Sequence, residues 1–325
     1  MRPAPPNSEG LILDGAAVAP PVAPPARRAR SGELSERALG FALLAPMVIV
    51  LLLVVGYPLV DAFWLSLHRV NLASPEQGQP FIGLGNYIRA FGQPDFWAAT
   101  QRTLYFTLVS VGIELALGVL FAVLLNERFR GNLVARVIMI LPWALLTVSN
   151  GVLWAWILNP TYGVLNAVLV NVGLLAAPKP WLSDTFWTMQ LIILADVWKT
   201  VPNMTLLLLA GLQPIPDDMY EAADIDGASR WRKFTHITLP LLRPVILVAI
   251  ALRTIGAFRV FDIIYVLTGN GGPADSTKVV SFYNYDQAFH YLFFGYGAAI
   301  SWLITAFMLV LIIIYMRLLR ADGEA

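Results

Sequence analysis

The stretch Glu221–Pro240, EAADIDGASRWRKFTHITLP, is polar and charged, and it lies between two long apolar runs. Its residues fall as Glu-Ala-Ala, three residues, Gly227, nine residues, Ile237, one residue, then Leu239-Pro240. Neither an amphipathic helix face nor a linker requires that whole pattern. Pro214 and Pro216 stop the apolar run before it. Asp217 or Asp218 is placed to cap a short helix through Tyr220–Ala223, and Ala222 and Ala223 give that helix a low-profile face suited to close docking. Gly227 permits a turn that a Cβ would hinder. Asp226 or Ser229 can cap a second helix that ends by Leu239-Pro240. The expectation is a helix–turn–helix held outside the apolar phase.

Working outward, the rest of the chain reads as a membrane protein. Hydrophobic residues make up 58% of it and charged residues 13%, with mean hydropathy +0.66. An average soluble domain is about 25% charged. A span needs roughly 20 mainly apolar residues. Six runs qualify: Leu39–Leu59, Leu104–Leu125, Val134–Leu158, Thr188–Leu209, Leu241–Leu267 and Phe293–Met316. The shorter, Gly/Asn-punctuated patch Val164–Ala177 ends at Pro178 and Pro180 and reads as a helix lying at the outer interface. Residues 1–35 form a separate Pro-, Ala- and Arg-rich stretch that cannot bury enough surface to fold. The domain reading is a disordered cytoplasmic tail, 1–35, and a six-helix transmembrane domain, 36–320, with a polar loop at 214–240.

Lys and Arg near the span ends set the orientation. With the N-terminus inside, inner segments carry Arg2, Arg27, Arg28, Arg30, Arg37, Arg128, Arg130, Arg136, Arg230, Arg232, Lys233, Arg243, Arg317 and Arg320. Outer loops hold only Arg69, Arg89, Arg102, Lys179 and Lys278. Both termini and the Glu221–Pro240 loop are thereby placed in the cytoplasm. Net charge is +1, so no strong field points to nucleic acid. The chain has no Cys, its three His are scattered, and no Gly-Lys pair exists from which a phosphate-binding loop could be built.

The Glu221–Pro240 pattern resembles the EAA loop of permease subunits of binding-protein-dependent ABC importers, and every signature position matches. Other stretches resemble the sugar-importing branch of that family. They are Phe81-Ile-Gly-Leu-Gly-Asn86-Tyr87, Leu141-Pro142-Trp143, Trp198-Lys199-Thr200-Val201-Pro202, and Phe261-Asp262-x-x-Tyr265-Val-Leu-Thr268 followed by Gly271-Gly272-Pro273 and Thr277. The resemblance covers about Leu39 to Arg317. It implies an all-α membrane protein of the type I importer fold, with six transmembrane helices and cytoplasmic termini. It implies no enzymatic activity in this chain and no cofactor bound by it. ATP and Mg would sit on a partner ATPase dimer, and the other partners would be a second homologous permease and an external solute-binding protein. The loop would dock into a cleft of the ATPase through Glu221, Ala222, Ala223, Asp226, Gly227 and Arg230. The maltose-importing members have additional N-terminal spans and a large external domain; the simpler relatives that import trehalose, other oligosaccharides or glycerol phosphate look closer.

Polar groups inside apolar spans are costly, about 2.5–3.5 kcal/mol for a central charge on insertion scales, and so mark either a pathway or a structural pair. Asp196 and Lys199 lie mid-span on one helical face, which Thr200 and Asn203 continue beside Pro202. This face reads as pathway. Arg253, Arg259 and Asp262 lie within the fifth apolar run, with Arg259–Asp262 spaced to pair, and Glu114 sits alone in the second. By resemblance, the sugar-contacting positions fall on Trp143, Thr147, Asp196, Lys199, Thr200, Asn203, Arg253, Gly256, Ala257 and Val260. Carboxylates and amides suit sugar hydroxyls, and Trp143 offers a ring for a C–H face. The expected function is import of a disaccharide such as trehalose, or an oligosaccharide. The alternative is an ion-coupled secondary transporter using Asp196 or Glu114 as a relay; no inverted repeat supports it.

Overall fold

The computed structural model of the chain describes residues 36–127 and 129–323. The tail expected at 1–35, with Arg2, Arg27, Arg28 and Arg30, and also Arg128, lies outside the described residues. Two compact units emerge, one ending at Tyr57 and one beginning at Pro58. The first contains α1 (Glu36–Leu51) and a π-helical turn, Leu52–Gly56. Its side chains, such as Leu43, Leu53 and Val54, are exposed, as suits a helix that is hydrophobic all round and belongs in lipid or against another chain.

The remaining helices are α2 (Tyr57–Ser66), α3 (Gly85–Gly92), α4 (Pro94–Asn126), α5 (Asn132–Ala144), α6 (Thr147–Ile157), α7 (Val164–Asn171) and α8 (Thr185–Leu212). They continue with α9 (Asp217–Ile225), α10 (Arg230–Lys233), α11 (Leu239–Phe258), α12 (Asp262–Thr268), α13 (Val280–Tyr285) and α14 (Phe294–Gly323). Five stretches are long and apolar enough to cross a membrane: Leu39–Ser66, Pro94–Asn126, Thr185–Leu212, Arg230–Phe258 and Phe294–Leu319. α5 and α6 make a sixth only if taken as one span, because they meet at 96°. α7, with eight residues, is too short to span; its Leu165 and Leu169 pack on Leu158, Trp181 and Leu191.

Three expectations are corrected here. The third run, Val134–Leu158, is not one straight helix. Leu145 and Leu146 adopt extended backbone, and the chain turns there just after Pro142 in the last turn of α5. The fifth run does not extend to Leu267. α11 stops at Phe258, Arg259 and Val260 bond back to Gly256 and Ala257, and Phe261 leaves the helical region before α12 begins. Arg259 and Asp262 therefore sit in and after a break rather than inside a span. The second helix of the polar loop also does not end by Leu239-Pro240. α10 runs through a π-helical turn, Phe234–Thr238, straight into α11. In that turn the Leu239 N–H donates five residues back to the Phe234 carbonyl, which accommodates Pro240, a residue with no N–H of its own.

α4 and α8 form the most extensive helix pair. Glu114, Gly118, Ala122 and Leu125 make the buried stripe of α4, and Asp196, Met204 and Leu208 face inward on α8. A Cβ at Gly118 would lie 2.5 Å from Met204 Cγ and 3.4 Å from Leu208 Cδ1, so the close approach of the two helices needs glycine there.

Candidate functional site

Two regions hold the functional side chains singled out from the sequence. The first is a charged cluster at the meeting of α4, α8 and α11. The Arg253 guanidinium donates from Nε to Glu114 Oε2 and from Nη2 to Glu114 Oε1 (2.8 Å) and Asp196 Oδ2. Thr200 donates its hydroxyl to Glu114 Oε1 at 2.7 Å. One turn away, Lys199 Nζ donates to Thr147 Oγ1 at 2.6 Å, tying α8 to the first residue of α6 just past the 96° break. Two carboxylates and two cations thus share one region of the apolar phase, which offsets the cost of holding any of them there. Asn150 is fully buried and donates to the Ala195 carbonyl at 3.2 Å, seating α6 against α8 beside Asp196.

The cluster gathers Thr147, Asp196, Lys199, Thr200 and Arg253 from the expected set. It adds Glu114, which does not sit alone, and Asn150, which had no signal in sequence beyond being polar in an apolar run. Asp196 pairs with Arg253 rather than with Lys199. α8 runs unbroken through Pro202, and Asn203 is exposed. Trp143 is half exposed in the last turn of α5. Arg259 and Asp262 are exposed and, among the described residues, do not form the ion pair their spacing suggests. Gly256 is exposed, Ala257 is buried, and Val260 packs against the core.

The second region is the polar loop. α9 begins at Asp217, earlier than expected, with Pro216 at the cap position and Asp217 and Asp218 inside the first turn. It ends in a left-handed turn: Gly227 has φ +73°, its N–H bonds to the Asp224 carbonyl (3.1 Å), and the Ala228 N–H bonds to the Ala223 carbonyl (2.9 Å). Ser229, not Asp226, caps α10, accepting from the Arg232 N–H. Lys233 Nζ bonds to Asp224 Oδ1 at 2.7 Å, and the hydroxyls of Tyr220 and Thr238 lie 3.0 Å apart, closing the two helices on each other. Glu221, Ala222, Asp226 and Arg230 are exposed, and so are two large apolar side chains, Ile225 (88%) and Trp231 (72%). A small, rigid element with exposed Ile and Trp amid charges has the composition of a docking surface.

The Phe81–Tyr87 motif has a structural role. Asn86 donates to the carbonyls of Ser66 (2.8 Å) and His68 (2.9 Å), and Tyr87 Oη lies 2.7 Å from Ser66 Oγ, so the motif caps the end of α2.

Residues 114–321 match the family described as binding-protein-dependent transport system inner membrane component. The chain is 46% identical over 287 residues to a trehalose/maltose transport system permease protein of Thermococcus litoralis, covering 88% of this chain and 95% of that one. It is 39% identical to the trehalose transport system permease protein of Mycobacterium tuberculosis, with 89% and 91% covered. Similarity to the sulfoquinovosyl glycerol transport system permease protein of Agrobacterium fabrum is 38%, with 89% and 92% covered. Among solved structures, a chain of a bacterial ABC transporter that imports the acidic polysaccharide alginate superposes with a TM-score of 0.76 at 25% identity, covering 87% of this chain and 95% of that one. A further structure of a bacterial alginate ABC transporter, in complex with a pentasaccharide-bound periplasmic protein, matches with a TM-score of 0.73 at 25% identity. These matches lend no support to an ion-coupled transporter.

Proposed function

We propose that this chain, which belongs to the binding-protein-dependent transport system inner membrane component family, forms one half of an ATP-driven import pore for a sugar. The cargo is a disaccharide such as trehalose, or an oligosaccharide, delivered by an external binding protein. The other half of the pore is a second, homologous permease, and the power comes from an ATPase dimer that carries the ATP and Mg. The observation that carries this reading is the loop: two helices locked around Gly227, with Glu221, Ala222, Ala223, Asp226 and Arg230 set beside exposed Ile225 and Trp231. Differential binding of that element in the two states of an ATPase is how closure of one protein biases the conformation of another.

The solute path runs along the cluster of Thr147, Asp196, Lys199, Thr200 and Arg253, with Trp143 and Asn203 as further contacts and Arg259 and Asp262 beyond the end of α11. Hydroxyls of a sugar can exchange with the hydrogen bonds these groups already make. The loop lies on the cytoplasmic side, as the Lys and Arg bias of the inner segments implies. Purified alone, the chain is expected to hydrolyse no ATP; with its ATPase, second permease and binding protein in proteoliposomes, it is expected to drive uptake of trehalose or a short oligosaccharide. Robust hydrolysis by the chain alone would overturn the reading. Cysteines introduced as Ser229→Cys and Ala274→Cys should label from opposite faces, Ser229→Cys from the cytoplasm. Labelling from the same face would overturn the orientation.

A further inference from the structure

We propose that Glu114 is a positioning residue for sugar recognition, holding Arg253 so that one edge of its guanidinium stays free, and that Gly256 keeps that edge uncovered. The inference rests on the reading that the chain passes a sugar. Glu114 has a side-chain exposure of 0%, so it reaches no solute itself. Its two oxygens accept from Arg253 Nε, Arg253 Nη2 and Thr200 Oγ1, and Asp196 takes a further bond from Arg253 Nη2. A guanidinium carries five N–H donors in a rigid plane. These bonds use the Nε and Nη2 edge and fix the plane.

Nη1 is the remaining nitrogen, and among the described residues it has no hydrogen-bond partner. It lies beside Gly256, where an added Cβ would stand 3.5 Å from it. Gly256 is exposed, and Arg253 retains a side-chain exposure of 16%. A Cβ at 256 would touch Nη1 at contact distance and a branched side chain such as Val would add bulk beside it, while glycine leaves a planar donor with two hydrogens open. Such a donor fits adjacent sugar hydroxyls, which accept hydrogen bonds side by side. Glu114 and Gly256 thus act through Arg253: one sets its angle and the other its access.

The test is trehalose uptake by the complete complex in proteoliposomes, scored per assembled complex, for Glu114→Gln, Glu114→Asp and Gly256→Val. A neutral Gln loses the charge that locks the guanidinium. The half-saturating trehalose concentration should rise about tenfold in Glu114→Gln, with the maximal rate falling by much less, as expected when a hydrogen-bonding contact to substrate is misplaced. Glu114→Asp, which keeps the charge, should lie nearer to wild type. Gly256→Val leaves the carboxylates intact and should shift half-saturation in the same direction. A wild-type concentration dependence in Glu114→Gln, or a defect confined to the amount of assembled complex, would overturn the proposal. Should Glu114→Gln fail to assemble, unchanged half-saturation in Gly256→Val would overturn it equally. If the wild-type complex itself takes up no sugar, the functional reading has failed and not this inference alone.

Discussion

The polar loop and the charged cluster both rest on ion pairs and hydrogen bonds, yet they are built in opposite ways. In the loop, Lys233 meets Asp224 nine residues away, with the Asp side chain 60% exposed. In the cluster, Arg253 meets Glu114 139 residues away, and the carboxylate is wholly buried. The loop's pair is one of several redundant ties: a left-handed turn at Gly227, the Ser229 cap and the Tyr220–Thr238 contact hold the same shape. The cluster's pair is the polar joint of α4, α8 and α11: among the described residues, it is where these three helices share ionic hydrogen bonds. One region has other ties that hold its shape when a charge is lost. The other must keep its charges matched or leave one stranded in the apolar phase.

The sharpest way to break this contrast is to remove one cation from each region. Arg253→Ala strands Glu114 and Asp196 together, and breaking a buried pair by deleting one partner costs about 3–5 kcal/mol. Thermal unfolding in detergent should show that loss as a large drop in midpoint and in assembled complex. Arg253→Lys should recover only part of it, because a single ammonium cannot fork to both carboxylates. Lys233→Met should cost at most about 1 kcal/mol, the range of exposed pairs, and that small effect should fade further in high salt. Equal losses from the two substitutions would mean that burial does not separate the regions as described.

The same contrast explains what could be read from the sequence. The loop was legible because its partners are local: Ala223, Asp224, Gly227, Ala228 and Ser229 form one turn within seven residues, and glycine at that position has a specific backbone reason. The six apolar runs were legible for a similarly simple cause, the thickness of a bilayer. What hydropathy could not distinguish is the state of an apolar residue. Leu145 and Leu146 are equally apolar whether helical or extended, so hydropathy alone does not show the bend between α5 and α6, for which Pro142 is the one local signal. Ile263, Ile264 and Leu267 are apolar because they are buried under the neighbouring helices, and they lengthened the fifth run by mistake. Glu114 looked solitary because its partners come from helices 86 and 139 residues further on. Helical spacing places Asp196 and Lys199 on one face but does not show that Asp196 meets Arg253, a partner 57 residues further on that binds both carboxylates.

The central claim is that the Glu221–Pro240 loop transmits the ATPase cycle to the pore, and the most direct measurement is uptake alongside ATP hydrolysis in proteoliposomes of the complete complex. A Cβ at Gly227 meets nothing within 4 Å, so Gly227→Val acts through the φ of +73° alone, at a cost of about 1–3 kcal/mol for a β-branched residue forced into that region. Glu221→Lys reverses an exposed charge on α9 without disturbing the turn. Both variants should insert and should accept the sugar-loaded binding protein. They should lose ATPase association, or hydrolyse ATP without matching uptake. Wild-type uptake with wild-type stimulation of hydrolysis in both variants would show that this loop is not the coupling element and would contradict the account.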